Sequence, residues 1–197
     1  MNRRELLRLL VAAPAAAGFA WTDAEAQQAG RLAQAAQASG APFKPKFFSA
    51  HDFKTVRVLA DLIIPADERS GSASDAGVPQ FMDFMMGDQP ERQVAMRGGL
   101  AWIDVECQKR FDRLFVDCLP AQQTAVLDDI AWPHRVQPEL AHGAAFFTSF
   151  RDLTATGFWT TKLGIEDLQY VGNRPVAHWN GCPEEALKTL GVAYPTD

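Results

Sequence analysis

From Phe43 onward, apolar residues recur at helical spacing along most of the chain. Phe53, Val56, Ala60 and Ile63 share one helical face, and Val58, Leu59 and Leu62 widen it. Ser49-Ala50-His51-Asp52 ahead of them is a capping-box variant, with Asp in the place usually held by Glu or Gln. Pro65 ends the run. Residues 65–78, PADERSGSASDAGV, read as a polar loop. Pro79 then suits the first position of a short helix over 80–86. Asp88, followed by Pro90, is placed to cap a longer helix reaching Arg110, with Leu100, Ile103, Cys107 and Phe111 on one stripe. Asp117 or Cys118, ahead of Pro120, opens a helix that runs to Trp132 and is stopped by Pro133. Pro138 opens another, in which Phe146, Phe147, Phe150 and Leu153 suit a buried face. Short turns lead to a last helix from Pro183 to Leu190, ended by Gly191. No stretch alternates apolar with polar residues, and no Asn-Gly or Asp-Gly pair joins strand-like runs. The pattern predicts an all-α fold: one irregular domain of about five to seven helices with long loops, over residues 43–197.

The N-terminus breaks this pattern. Asn2-Arg3-Arg4-Glu5-Leu6-Leu7-Arg8 is a twin-arginine sequence, and an alanine-rich run from Leu9 to Ala20 follows it. Ala24-Glu25-Ala26 supplies a small-x-small cleavage site. Residues 1–26 are therefore expected to be an export signal of the kind read by the folded-protein route, with Arg3 and Arg4 as its address. An ordinary amphipathic helix is the alternative. The Ala- and Gln-rich residues 27–42 read as a flexible leader or a weak helix.

Composition narrows the classes. The chain has 197 residues, 47% of them hydrophobic, which suits one globular domain. Its net charge is -5, and residues 1–26 hold as many acidic as basic groups, so their removal leaves that charge unchanged. Nucleic acid and anionic lipid both call for clustered positive charge, which is missing. No mid-chain stretch approaches the roughly 20 apolar residues of a membrane span. Three cysteines are an odd number. In an exported protein that suggests one internal bond and one thiol for another chain. Cys107 and Cys118 are eleven residues apart. On one straight helix that is about 16 Å, against the roughly 4.4–6.8 Å between α-carbons that a disulfide allows. They can bond only if the chain turns between them, and two buried free thiols are the alternative. Cys182, in a turn-prone stretch, is expected to be accessible and is the candidate for a bond to another subunit.

Catalytic signatures are missing. There is no Gly-x-Gly-x-x-Gly after a strand, and Gly98-Gly99 lies in a helical stretch. There is no haem-attachment motif, and the cysteines are too dispersed for an iron–sulfur site. His51, His134, His142 and His178 form no close pair, and surface or locally bonded roles suit them better than ligation. Asp67, Glu68 and Asp75 could grip a cation, but polar loops of this kind are usually turns and caps. Ser70, Ser72, Ser74 and Ser149 lie in no nucleophile elbow. Neither a catalytic residue nor a cofactor or metal ligand is assigned.

Two motif blocks resemble a known family. Leu62-Ile63-Ile64-Pro65, Asp67, Gly77-Val78-Pro79 and Phe81-Met82-Asp83 form the first. Gly157-Phe158-Trp159-Thr160, Gly164, Leu168, Tyr170-Val171-Gly172-Asn173 and Trp179-Asn180-Gly181-Cys182-Pro183 form the second. Over residues 47–190 they resemble the gluconate 2-dehydrogenase subunit 3 family, the small subunits of FAD-dependent sugar, sugar-acid or polyol dehydrogenases. The resemblance implies a flavoprotein large subunit of the glucose-methanol-choline group that holds FAD. It admits an iron–sulfur cluster in that subunit and haem c in a third, multihaem cytochrome subunit. It also implies that this chain helps the flavoprotein mature and carries it to the periplasm, where a partner can hold it at the membrane. Trp159, Tyr170, Asn173, Trp179, Asn180, Cys182 and Pro183 are the candidate interface, because an irregular segment needs a surface to order it. Met82, Phe84, Met85 and Met86 are a second, adaptable patch. Trp102 and Trp132, on helices, are expected in the core. An independent periplasmic enzyme using His or carboxylate chemistry, and a free-standing export chaperone, are the alternatives.

Overall fold

The computed structural model describes residues 23–38, 43–169, 178 and 181–194. Arg3, Arg4, Tyr170, Asn173, Trp179 and Asn180 lie outside the described residues. Within them are eight α-helices and no strand. They are α1 (Asp23–Ala38), α2 (Ala50–Ile63), α3 (Val78–Asp88), α4 (Gln93–Phe111), α5 (Pro120–Asp128), α6 (Ala141–Trp159), α7 (Lys162–Asp167) and α8 (Glu184–Leu190). None is long and apolar enough to cross a membrane.

The predicted start of α2 is present in full. The Ser49 hydroxyl accepts from Asp52 N at 3.1 Å, and the Asp52 carboxylate accepts from Ser49 N at 3.3 Å. In the loop that follows, Asp67 Oδ1 accepts from Ser70 N and Arg69 N, both at 2.8 Å, which holds its carboxyl below the usual range. Asp75 accepts from Ser72 N, and Asp61 from Ser74 N. Asp67 and Asp75 thus act as turn caps. Gly77, at φ 82°, makes the left-handed corner into α3, with Pro79 at its start.

Several boundaries differ from the sequence reading. Asp88 is the last residue of α3, and a 3₁₀ turn at Pro90–Arg92 leads into α4. Leu119, rather than Asp117 or Cys118, precedes α5, because the Gln122 side chain accepts from Leu119 N at 2.9 Å. Helix α5 ends at Asp128, which leaves Trp132 58% exposed, whereas a core position was expected. Trp102 is half-buried against the core. Met82, Met85 and Met86 are fully buried, so they are core and not a surface patch. Residues 27–38, read as leader or weak helix, continue α1. Its Ala26, Ala29 and Ala33 are buried at i, i+3 and i+7, the stripe by which a helix seats on a neighbour. Helix α1 packs on α3.

Helix α6 is the hub, touching α1, α2, α3, α4 and α7. Close approach there depends on missing side chains. A Cβ on Gly99 of α4 would lie 1.8 Å from the Phe146 ring of α6. Reciprocally, one on Gly143 of α6 would lie 2.2 Å from the Trp102 ring of α4. Gly157 of α6 receives Phe81 of α3, 2.7 Å from where its Cβ would stand. Helices α4 and α6 each offer a glycine where the other presents a ring, and α6 offers a second to the ring from α3.

Asp83, only 2% exposed, anchors the entry segment to α3. Its Oδ2 accepts from Lys46 N at 2.8 Å, and its Oδ1 from Phe47 N and Phe48 N at 3.0 Å each. Charge-assisted bonds to a buried carboxylate are the stronger kind. Replacing Asp83 with Ala should destabilise the fold by about 3 kcal/mol, since three amides lose their acceptor. Asp83→Asn should not rescue it, because its NH2 must face one of the same donors. Urea unfolding of the two variants checks this; wild-type stability of Asp83→Asn would refute the role of the charge.

Candidate functional site

Phe81 against Gly157 brings together the two blocks that the sequence places about 75 residues apart. Around that contact the second block is shaped by backbone. Thr161 donates to Phe158 O at 2.7 Å and accepts from Gly164 N at 3.1 Å, capping α7. A Cβ on Gly164 would lie 2.2 Å from Phe158 O, so α7 turns back hard on α6. The Arg69 guanidinium donates to Asp167 O and lies 3.3 Å from Asp167 Oδ1, which ties the polar loop to α7. Helix α7 was not read from the sequence. At six residues it is too short for a periodicity signal, and Thr161 with Gly164 three places on is the only local hint.

Beyond this corner the character of the chain changes. Five of the twelve exposed large apolar side chains among the described residues lie here: Ile165, Leu168, Leu190, Val192 and Tyr194. That density is far above the rest of the fold. Helix α8 has no buried residue. It is closed by Gly191 at φ 65°, as predicted, and the Tyr194 hydroxyl accepts from Cys182 N at 2.8 Å. Seven residues without a buried face do not hold a helix on their own propensity.

The expected site residues fall on both sides of that division. Trp159 ends α6 in regular helix and is half-buried, its ring 4.9 Å from that of Phe158. Part of the stretch expected to be irregular, Lys162–Asp167, is helix α7. Cys182 and Pro183 are exposed. Cys107 and Cys118 are buried free thiols. The chain does turn between them, through Asp112 at φ 54° and a 3₁₀ turn at Phe115–Asp117, which brings the two thiols near enough for Cys118 to affect the ionisation of Cys107. Burial, then the neighbouring Cys118 thiol, push the Cys107 thiol up to about 12.

Several other titratable groups are engaged in the fold. His51 Nε2 lies 2.5 Å from Asp104 Oδ2, whose other oxygen accepts from Phe115 N. Arg110 bridges Glu106 and Asp129, at 2.6 Å each. His134, His142 and His178 are exposed and apart. Among the described residues no three His, Cys, Asp or Glu side chains are grouped to hold a metal ion. Gly98-Gly99 lies inside α4 with Gly99 under a ring, so this pair cannot cradle a phosphate.

The fold is thus an all-helical domain with its exposed apolar side chains concentrated toward its C-terminal end. A family model described as gluconate 2-dehydrogenase subunit 3 matches residues 50–181, and the chain belongs to that family. It is thus one of the subunits of a dehydrogenase complex. No curated protein and no solved structure matches it.

The cysteines give a direct test. In the native chain a thiol reagent at neutral pH should modify Cys182 rapidly, and Cys107 and Cys118 only on unfolding. The Cys107 contribution to stability is intact below the ordinary thiol value of 9.0. It declines as pH rises from there towards about 12, because the unfolded chain releases the proton first. Mass spectrometry after timed alkylation, with and without urea, reads the order; equal rates at all three would refute it.

Proposed function

We propose that this chain is the non-catalytic small subunit of an exported, FAD-dependent sugar, sugar-acid or polyol dehydrogenase. It assists maturation and stability of a glucose-methanol-choline-type flavoprotein and carries it to the periplasm by the twin-arginine route. The carrying observation is the C-terminal unit around α8, which exposes apolar side chains and buries none. A partner surface supplies the missing half. Membership in a family of dehydrogenase subunits supports reading that partner as the large subunit. FAD belongs there, as does any iron–sulfur cluster, and any haem c belongs to a third, cytochrome subunit.

One signal can serve two chains only if they cross as a folded pair, and a flavoprotein loaded with FAD before export needs a route that accepts folded cargo. The readings as an independent enzyme or a departing chaperone lack a comparable observation. The exposed Cys182, beside the apolar surface, suits a disulfide to the large subunit in an oxidising compartment.

The test is co-expression of both chains with Arg3 and Arg4 changed to Lys. Charge is kept but the geometry a receptor reads is not. The flavoprotein should accumulate, folded and flavin-loaded, in the cytoplasm, with FAD-linked activity lost from the periplasm. Full periplasmic activity would reject the export role. Wild-type complex run without reductant should migrate as one linked species that Cys182→Ser separates; two bands from wild type would reject the bond.

A further inference from the structure

Two sulfurs lie outside the proposed function. Cys107 is near the end of α4 and fully buried, and Cys118 is 7% exposed at the end of the 3₁₀ turn that follows. Asp112, at φ 54°, turns the chain between them. Side-chain bonds then draw the turn back onto α4. Phe115 N donates to Asp104 Oδ1 at 3.0 Å, and Gln123 Nε2 of α5 donates to Phe115 O at 2.8 Å. Asp104 and Cys107 are three residues apart, so they share a face of α4. Cys118, three residues beyond Phe115, comes to that face and lies close enough for its thiol to help raise that of Cys107.

The surroundings decide what such a pair can do. A nucleophilic or metal-binding cysteine needs neighbours that favour its thiolate. Arg110 acts in that direction on Cys107, but its guanidinium is bonded to Glu106 and Asp129. Burial, Cys118 and the Asp104 carboxylate act the other way and prevail. Among the described residues no third ligand completes a metal site with the two sulfurs. What remains open to them is reaction with one another.

We propose that Cys107 and Cys118 are a redox pair, two thiols under reducing conditions and an intrachain disulfide once a disulfide oxidant, such as a thiol–disulfide exchange protein, reaches them. One sulfur–sulfur bond forms as two sulfur–hydrogen bonds break. The two electrons and two protons pass to the oxidant, whose disulfide becomes two thiols. Cys118, the less buried of the pair, meets the oxidant first and forms the mixed disulfide. Cys107 then attacks the Cys118 sulfur, and the oxidant's second sulfur leaves as a thiol. Cys107 keeps its proton up to about 12, so this step is slow at neutral pH and quickens as pH rises. The bond fastens the end of α4 to the entry of α5.

Neither step needs export or the large subunit, so the purified full chain is the sample, with Cys182→Ser removing the exposed thiol. The reduced chain is incubated with glutathione disulfide in urea just below its unfolding transition, where local opening admits the reagent. Its intact mass should fall by two hydrogens with no glutathione retained, and peptide mapping should join Cys107 to Cys118. Dithiothreitol should restore both thiols, and the rate of closure should rise with pH. Cys118→Ser in the same background should leave Cys107 unmodified over the same period. Glutathione persisting on either sulfur, or two thiols still titratable at the end, would overturn the pair. Equal loss of the Cys107 thiol without Cys118 would overturn the order of the steps.

Discussion

Two helices cannot approach closely while both carry side chains at the crossing point. Here α4 and α6 meet because each has a glycine under the other's ring, Gly99 beneath Phe146 and Gly143 beneath Trp102. The same device seats Phe81 of α3 on Gly157. Dense packing then propagates outward. Phe150, Leu153 and Phe158 of α6 are essentially inaccessible, as are Leu100 and Ile103 of α4. With α6 fixed at the centre, the positions of α1, α2 and α7 follow, because each touches it. A methyl group at any of the three glycines has no free volume to enter, so the bundle cannot relax locally.

The carboxylates that might suggest chemistry have structural work. Asp83 gathers three consecutive amides of the entry segment. Asp104 joins His51 of α2 to the turn at Phe115. Asp61, Asp67 and Asp75 organise the loop between α2 and α3. A long polar connection has many backbone donors and few regular partners, and short acidic side chains supply acceptors within reach. The serine-rich loop is in this way a rigid strap, tied at its far side to α7 through Arg69 and Asp167. It positions the corner from which the C-terminal segment leaves the fold.

That segment differs in kind from the rest. Upstream, apolar residues are mostly covered by other helices of the same chain. Downstream of α7, apolar side chains are exposed and α8 buries nothing. The free thiol of Cys182 lies on the second part, while Cys107 and Cys118 lie deep in the first.

The sequence by itself determined the helical class, the capping box at Ser49, the Pro79 and Gly191 boundaries, and the family through its two blocks. These are local signals, set by periodicity, by backbone preference at proline and glycine, and by residues in order along the chain. It misjudged Met82, Met85 and Met86, and Trp132, because burial depends on which neighbouring element covers a face. It gave no sign of α7, too short for periodicity, nor of the seating of α1, whose alanine stripe matters only once α3 lies beneath it. The tertiary structure alone decided that Phe81 meets Gly157, that Asp83 is saturated by amides, and that the two buried thiols face one another. Each of these joins residues distant in sequence, and spacing along a chain carries no measure of distance across a fold.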